Sequence, residues 1–339
     1  MDSNSLSAET VADVLVGRQS QLAKLRACVA PMLQDHAPLN AWLCGPPGTG
    51  KTTLARRVVG ETCDGASMIG AYVNCWEHRS LYGVLRMLLD QLKILGAEAQ
   101  DTGVKLDRVR QAFRGHPAVI VLDKIDRLMP AQRADIICGL LALPKTGLIC
   151  IANSTRGLAA IKEDVRSHLS PVLIRMGPYS VKLLEAILTY RAHQALAPDS
   201  WRQPALRRIA EVASGDARLA IQILHQAVAA AERAGSPRVN GRFADDLARQ
   251  WRAIHEEQRL AGLTEHERII HELAKQHAPL GSVELTRLYV RHCGDHEIQP
   301  MAGRTFRKYL SRLASAGILT VSEAPMSRRG RLVSLNATR

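Results

Sequence analysis

The sequence has few aromatic residues: phenylalanine, tryptophan and tyrosine together make up 4% of its 339 residues. Proteins that hold single-stranded nucleic acid commonly stack bases on aromatic side chains, so this shortage disfavours that mode of binding. Acidic residues are also outnumbered, with 32 aspartates and glutamates against 45 lysines and arginines, which gives a net charge of +13. The basic balance favours a polyanionic partner, although a generally arginine-rich composition has the same effect on the total.

Three further absences narrow the cellular context. The seven cysteines form no C-x-x-C pair, so we expect reduced thiols and no zinc site. No run of about 18 apolar residues occurs, and the N-terminus lacks the basic start and apolar core of a signal peptide. We therefore expect a soluble protein that does not act at a membrane, located in the cytoplasm with the nucleoid, or in the nucleus if the organism is eukaryotic.

One stretch predicts a ligand by its spacing alone. Residues 45–52, GPPGTGKT, fit the G-x-x-x-x-G-K-[ST] phosphate loop, and they follow a short apolar run and open a helical pattern. In such a loop backbone N–H groups point at phosphate, the lysine reaches the terminal phosphates, and the threonine hydroxyl holds Mg²⁺. A Gly/Pro-rich turn without a ligand is the alternative. The predicted nucleotide contacts are Gly45, Pro46, Pro47, Gly48, Thr49, Gly50, Lys51, Thr52 and Thr53.

A second apolar run closes on an acid. Residues 118–123, AVIVLD, have the character of a buried parallel strand, whose carboxyl end is where ligands bind in open α/β sheets. Asp123 is therefore predicted to bind Mg²⁺ together with Thr52. Lys124 follows it, where ATPases of the AAA+ type usually carry the glutamate that polarises water, and a protonated lysine cannot accept a proton. We expect slow or absent hydrolysis unless Asp126 substitutes, although we expect Asp126 to cap the following helix.

Further positions are predicted beside this site. Asn153 ends an apolar run where a sensor side chain could detect the terminal phosphate, with a simple strand-end turn as the alternative. In P-loop proteins of the AAA+ type the adenine is cupped by residues from the N-terminal turn, so Val16 and Gly17 are candidates for that contact here. A solvent-facing turn is the alternative. Arg218 follows the predicted helix cap Asp216, and from there an arginine either reaches the nucleotide or remains on the surface.

Residue patterns divide the chain into three predicted domains. Residues 1–177 show the strand-and-helix alternation of a nucleotide-binding domain, residues 178–257 are nearly all helical in pattern, and residues 258–339 form a separate module. The predicted fold class is α/β: a P-loop NTPase domain built on a parallel sheet, followed by an all-α lid and a C-terminal winged helix.

The C-terminal module has the pattern of three helices and two short strands, which is typical of a winged helix. From Arg304 onward it holds eight basic residues against one acid, Glu323. This excess favours contacts with duplex DNA, while solvated charges on a protein-contact module are the alternative. Arg304 and Arg307 are predicted base readers, and Gly330 lets the hairpin approach the groove closely. Phosphate contacts are predicted for Lys308, Arg312, Arg328, Arg329 and Arg331.

In this order the segments resemble the origin-recognition and cell-division-control family of AAA+ replication initiators, in its compact form. The resemblance rests on GPPGTGKT, YVNC, VLDKID, IAN, LIRMGPYS and SGDARLAIQIL, together with the C-terminal module. It implies that ATP or ADP binds with Mg²⁺, that Asn153 is sensor one and that Arg218 is sensor two. The implied partners are double-stranded DNA, a replicative helicase and other initiator subunits.

The resemblance also has a departure. The family offers an arginine finger to a neighbouring subunit from a motif that is matched here by residues 164–168, DVRSH. Asp164 and His168 replace both arginines, and Arg166 lies out of register. Together with Lys124, this change leads us to expect an origin-recognition or helicase-loading protein in which ATP acts mainly as a conformational switch. An actively hydrolysing loader or transposition regulator, and a signalling NTPase whose winged helix binds no DNA, remain as alternatives.

Overall fold

The computed structural model of the chain describes residues 15–63, 68–94, 101–236, 238–239, 245–247, 250–251, 260, 263–315, 318–323 and 331–335. Residue contacts separate the chain into two compact units, Met1–Ala248 and Arg249–Arg339. The sheet and lid regions lie in the first unit, and the C-terminal module lies in the second. Within the described ranges, no helix is both long and apolar enough to span a bilayer.

A five-stranded parallel sheet forms the centre of the first unit, as the sequence predicted. The strand order is β2-β3-β4-β1-β5, so β4 lies between the strand that precedes the phosphate loop and the strand that ends at Asp123. β3 and β4 are buried at every residue, which explains their continuous apolar sequences. The strands are β1 (Ala41–Cys44), β2 (Ile69–Asn74), β3 (Ala118–Asp123), β4 (Thr146–Ala152) and β5 (Val172–Arg175).

Successive side chains of each strand point to opposite faces of the sheet and enter two separate apolar clusters. On β1, Trp42 packs into one cluster and Leu43 into the other. On β3, Ile120 and Leu122 join the first cluster, and Val121 joins the second. The helices of this region are α1 (Gln19–Val29), α2 (Lys51–Cys63), α3 (Leu81–Gln91), α4 (Thr102–Ala112), α5 (Pro130–Leu141), α6 (Arg156–Ala159) and α7 (Glu163–Leu169).

Three helices follow the sheet: α8 (Val181–Ala195), α9 (Gln203–Val212) and α10 (Ala217–Arg233). Two of them begin at a polar side chain that accepts a hydrogen bond from the first turn. Ser180 accepts from Leu183 N, and Asp216 accepts from Leu219 N. The cap at Asp216 is the one that the sequence predicted.

The described residues 263–335 of the second unit form three helices and a three-stranded antiparallel sheet in the order β6-β8-β7. Its first helix begins at the capping box formed by Thr264 and Glu267, whose side chains each accept a hydrogen bond from the other residue's backbone N–H. Strand β6 was not predicted, because two residues are too few to show an alternating pattern. The elements are α11 (Glu265–His277), β6 (Leu280–Gly281), α12 (Ser282–Asp295), α13 (Gly303–Ser315), β7 (Leu319–Glu323) and β8 (Arg331–Leu335).

Candidate nucleotide-binding site

The loop between β1 and α2 packs tightly at its glycines. Gly48 has φ +67°, and a Cβ atom there would lie 1.7 Å from Asp216 Oδ1, so a side chain at this position is excluded. A Cβ atom at Gly45 would lie 1.9 Å from the carbonyl oxygen of Met176, just after β5. Glycine at these two positions therefore allows the loop to pack between the sheet and the start of α10.

Lys51 is the first residue of α2 and is only 8% exposed. Its Nζ donates hydrogen bonds to the carbonyl oxygens of Gly45, at 2.7 Å, and Pro46, at 2.8 Å. Burial lowers the pKa of Lys51, and the nearby charge of Asp123 opposes that effect. The ammonium group is held within the loop, where the N-terminus of α2 adds further positive potential.

Asp123 is buried at the end of β3. Its Oδ2 accepts hydrogen bonds from Thr52 Oγ1 and from Tyr72 OH, each 2.7 Å long. Burial raises the pKa of Tyr72, and the Asp123 carboxylate adds to the rise, so the phenol keeps its proton and remains a donor. The oxygens of Thr52 and Asp123 are ligands of the kind that Mg²⁺ prefers, so this donor set fits the ion that the sequence implies.

Lys124 has a left-handed backbone, with φ 59°, and its side chain lines the same cavity as Asp123 and Asn153. The expectation that Asp126 caps a helix is wrong. Its Oδ2 accepts a hydrogen bond from Asn153 N at 3.1 Å, and α5 begins only at Pro130. The turn after Lys124 brings the Asp126 carboxylate to the end of β4, so that it positions Asn153.

The first turn of α10 contacts the phosphate loop. Ala217 N donates a hydrogen bond to the Gly48 carbonyl oxygen at 3.0 Å. Arg218, the next residue, lines the cavity on the lid side. Asp216 packs against Gly48 while it caps α10. The first turn of α10 and the phosphate loop therefore form one side of the cavity together.

The N-terminal turn closes another side of the cavity. Val16 lines it, whereas Gly17 has φ +67° and packs against α8. Arg18 is 5% exposed, and its Nη2 donates a hydrogen bond to the Gly177 carbonyl oxygen at 2.6 Å. Its guanidinium lies 3.9 Å from the ring centre of Tyr179, which also lines the cavity. These contacts hold the turn against the segment that precedes α8.

Together these elements surround a cavity of about 260 Å³. Most of the predicted nucleotide contacts line the cavity. The exceptions are Gly17, Gly45 and Pro46, which are not among its lining residues. Five basic side chains line the cavity, and among the described lining residues Asp123 is the one carboxylate. The basic residues are Lys51, Lys124, Arg127, Arg191 and Arg218.

Sequence reasoning missed several residues of this site, among them Tyr72, Arg127, Tyr179 and Arg191. Tyr72 and Tyr179 lie in the segments YVNC and LIRMGPYS that carry the resemblance, but no role at the site was predicted for either of them. Each of the four residues reaches the site from a different part of the fold. Tyr72 had a usable signal, because it is a polar aromatic residue on a short strand next to β3. Arg191 had a weaker one, since it is a charged residue at a buried position of α8.

The segment that resembles the arginine-finger motif lies on α7. Arg166 forms an ion pair with Glu163 on the same helix. His168 Nδ1 forms a hydrogen bond with the Asp164 carbonyl oxygen at 2.8 Å. Both side chains are thus engaged within their own helix, and a role toward a neighbouring subunit stays a prediction.

The predicted DNA contacts lie in the second unit. Helix α13 buries Phe306, Leu310 and Leu313, and Tyr309 packs partly buried beside them. Arg312 forms an ion pair with the fully buried Glu267, Nε to Oε1 3.2 Å. Arg328, Arg329 and Gly330 lie outside the described residues, and Arg331 is the first residue of β8. The exposed basic residues of α13 are Arg304, Arg307, Lys308 and Arg312.

A parallel sheet with a phosphate loop after β1, a buried aspartate at the end of β3 and a helical region that contacts the loop define a P-loop NTPase of the AAA+ class. Residues 35–155 match the AAA domain family, and residues 185–245 match the Cdc6 AAA+ ATPase-type lid domain. The chain is 31% identical to ORC1-type DNA replication protein 9 of Halobacterium salinarum, over 99% of its own length and 94% of that protein. It belongs to this Orc/Cdc6-like family of AAA+ replication initiators.

Two solved structures have the same fold. One is the ORC2 protein of Aeropyrum pernix in its ADPNP-ADP complexes, with a TM-score of 0.80 and 20% identity over 99% of this chain and 93% of that one. The other is the ORC1 protein of Aeropyrum pernix in complex with DNA, with a TM-score of 0.67 and 26% identity over 100% of this chain and 94% of that one. At 20% identity the first comparison concerns the fold alone.

Proposed function

We propose that this chain is a replication initiator that binds ATP and duplex DNA, and that ATP acts mainly as a conformational switch. The observation that carries the proposal is the position of Lys124. It lines the cavity directly after Asp123, where a general base is needed to activate water, and a protonated amine cannot accept that proton. Hydrolysis is therefore slow or absent.

In this proposal the phosphate loop and Lys51 bind the phosphates of ATP. Thr52 and Asp123 hold Mg²⁺, which neutralises phosphate charge when it is bound. Val16, Ile187 and Ile221 line the cavity and offer an apolar wall for a base. The match of residues 185–245 to the Cdc6 AAA+ ATPase-type lid domain supports an adenine nucleotide as the ligand.

The switch works through the lid. Arg218 lies on the lid side of the cavity, and the hydrogen bond from Ala217 N to the Gly48 carbonyl oxygen joins α10 to the phosphate loop. A bound triphosphate contacts both the loop and Arg218, so it stabilises one arrangement of the lid more than others. Asn153, fixed by Asp126, is the second position that responds to the terminal phosphate.

The second unit is the DNA-binding part in this proposal. Its order of helices and strands supports a winged helix, and Arg304, Arg307 and Lys308 give α13 an exposed basic face. The DNA complex of the Aeropyrum pernix ORC1 protein supports duplex DNA as the partner. We also propose a replicative helicase and other initiator subunits as partners, and a location in the cytoplasm with the nucleoid.

Steady-state ATP hydrolysis tests the switch. We expect little turnover by the full chain, and a rise of at least about tenfold in Lys124→Glu, because a positioned base contributes a factor of about 100 to 10,000. Lys93→Glu is the matched control, since Lys93 is an exposed lysine with a similar left-handed backbone, φ 57°. Rapid hydrolysis by the unaltered chain would refute the switch and favour an active loader.

A salt titration tests the DNA partner. If several basic residues contact phosphates, the logarithm of the affinity for a duplex oligonucleotide falls steeply and linearly with the logarithm of salt concentration. A flat response would exclude a phosphate-binding surface and would favour a signalling NTPase whose second unit contacts protein.

A further inference from the structure

The charge balance of the nucleotide cavity is strongly positive. Among the described lining residues, five basic side chains face one carboxylate, Asp123. The Oδ2 atom of that carboxylate already accepts hydrogen bonds from Thr52 and Tyr72, each 2.7 Å long. A triphosphate is a polyanion, and in most P-loop sites a divalent cation offsets much of its charge. In this cavity the protein itself supplies five positive groups that can serve the same purpose.

Two of these groups come from the turn that follows β3. Lys124 has φ 59°, which turns the chain sharply after Asp123, and Arg127 N donates a hydrogen bond to the Lys124 carbonyl oxygen at 3.0 Å. Both side chains line the cavity. The turn therefore places two exposed basic residues next to the carboxylate that is predicted to hold Mg²⁺. Solvent weakens the attraction between such exposed side chains and a polyanion, but the attraction persists at separations of a few ångströms.

The other basic residues approach from different elements. Lys51 comes from the phosphate loop, and Arg191 and Arg218 come from α8 and α10. Lys51 and Arg191 are nearly buried, so they reach the cavity from its walls and not from the surrounding solvent. The positive groups thus surround the cavity on its loop, sheet and lid sides.

We propose that these side chains, and Lys124 above all, take over part of the charge neutralisation that a divalent cation provides, so that the chain binds ATP nearly as well without Mg²⁺ as with it. The inference rests on the proposed binding of ATP. Under this inference Lys124 has two effects: it replaces the catalytic base, and its charge strengthens the binding of ATP.

Equilibrium binding of a fluorescent ATP analogue to the full chain tests the inference, in buffers of equal ionic strength that contain either MgCl₂ or EDTA. We expect EDTA to weaken binding by the unaltered chain less than about tenfold, and by Lys124→Glu more than about a hundredfold, because the variant places a carboxylate where a cation was. Lys124→Asn, which suits a left-handed backbone, should lie between them. Lys93→Glu, with the same charge change away from the cavity, should match the unaltered chain.

The outcomes separate the two proposals. Binding by the unaltered chain in MgCl₂ that weakens more than about tenfold in EDTA would overturn the inference and leave the proposed function intact. An equally small effect of EDTA on Lys124→Glu and on the unaltered chain would show that Lys124 does not supply the charge. No binding in either buffer would overturn the proposed function and the inference together. Circular dichroism of each variant confirms that it is folded.

Discussion

The nucleotide cavity and the basic face of α13 are both rich in positive charge, but they hold it in different ways. In the cavity Lys51 is buried and makes two hydrogen bonds to its own loop. On α13, Arg304, Arg307 and Lys308 are exposed to solvent. A buried cation is fixed in advance and acts through geometry, whereas an exposed cation keeps its hydration and acts mainly through its charge.

The same difference decides how each region is recognised in the sequence. The cavity depends on a fixed spacing of glycine, lysine and threonine, so residues 45–52 identify it even without a charge count. The face of α13 has no such motif, and only the local excess of basic residues indicates it. Substitutions in the two regions should therefore differ in size and in their dependence on salt.

The largest effect is expected for Lys51→Ala. The substitution removes the buried ammonium group and leaves two loop carbonyls without their donor, so the Kd for ATP should rise at least about 100-fold, or about 2.7 kcal/mol. Isothermal titration calorimetry measures the change. Lys93→Ala, at an exposed position outside the cavity, is the control and should leave the Kd unchanged. Equal affinity in the two variants would mean that the buried cation does not bind phosphate.

On α13 the effect should depend on salt. Replacing both Arg307 and Lys308 by alanine should weaken duplex binding roughly 10- to 100-fold at low salt and reduce the slope of the salt plot by about 1, because Lys308 is the predicted phosphate contact of the two. Arg312→Ala should have a smaller effect, because its guanidinium is already paired with Glu267. Fluorescence anisotropy at several salt concentrations measures both. A larger loss in Arg312→Ala would show that this ion pair opens when DNA binds.

Glu267 forms an ion pair with Arg312 of α13, and we expect an intermediate effect there. Glu267→Ala removes the capping box of α11 and the partner of Arg312, so the unfolding free energy should fall by about 1–2 kcal/mol. Glu265→Ala, an exposed residue in the same turn, should cost about 0.5 kcal/mol or less. Denaturant unfolding compares them, and equal losses would contradict the role of the buried carboxylate.

The smallest effect is expected for Tyr72→Phe. The ring stays packed, and only the hydrogen bond to Asp123 is lost, so ATP binding in the presence of Mg²⁺ should weaken about three- to tenfold. Tyr190→Phe removes a hydroxyl that accepts a hydrogen bond from Gln194 on α8, away from the cavity, and it should behave like the unaltered chain. An unchanged affinity in Tyr72→Phe would limit this tyrosine to packing.

Much of the site could be predicted because motif and topology agree. Asp123 ends β3, Asn153 directly follows β4, and Arg218 lies in the first turn after the helix cap Asp216, so each has a recognisable sequence signal. The fold brings all three to one cavity. Asp126 was misassigned because its residue type favours helix caps, while in the fold a tertiary contact with Asn153 takes its carboxylate. Arg127 carries no local signal at all, since only the turn after Lys124 directs it into the cavity.

Local geometry also limits what periodicity can predict. The spacing of residues 22–33 indicates one amphipathic helix with Leu33 on its buried face. In the structure α1 ends at Val29, a 3-10 turn containing Pro31 follows, and Leu33 is 68% exposed. A 3-10 turn has three residues per turn and not 3.6, so it rotates the following side chains off the expected face.

The hydrogen bond between Ala217 and Gly48 attaches the first residue of α10 to the phosphate loop, so a small movement of the loop can produce a larger movement at the far end of the helix. The helix has 17 residues and is anchored to the phosphate loop at its first residue, so its length of about 25 Å extends away from that pivot. A rotation of only about 5° at the anchored end would move the opposite end by about 2 Å, which is enough to break or form side-chain contacts there. In the proposed switch, a small adjustment of the phosphate loop around ATP would therefore be magnified at the distal end of α10.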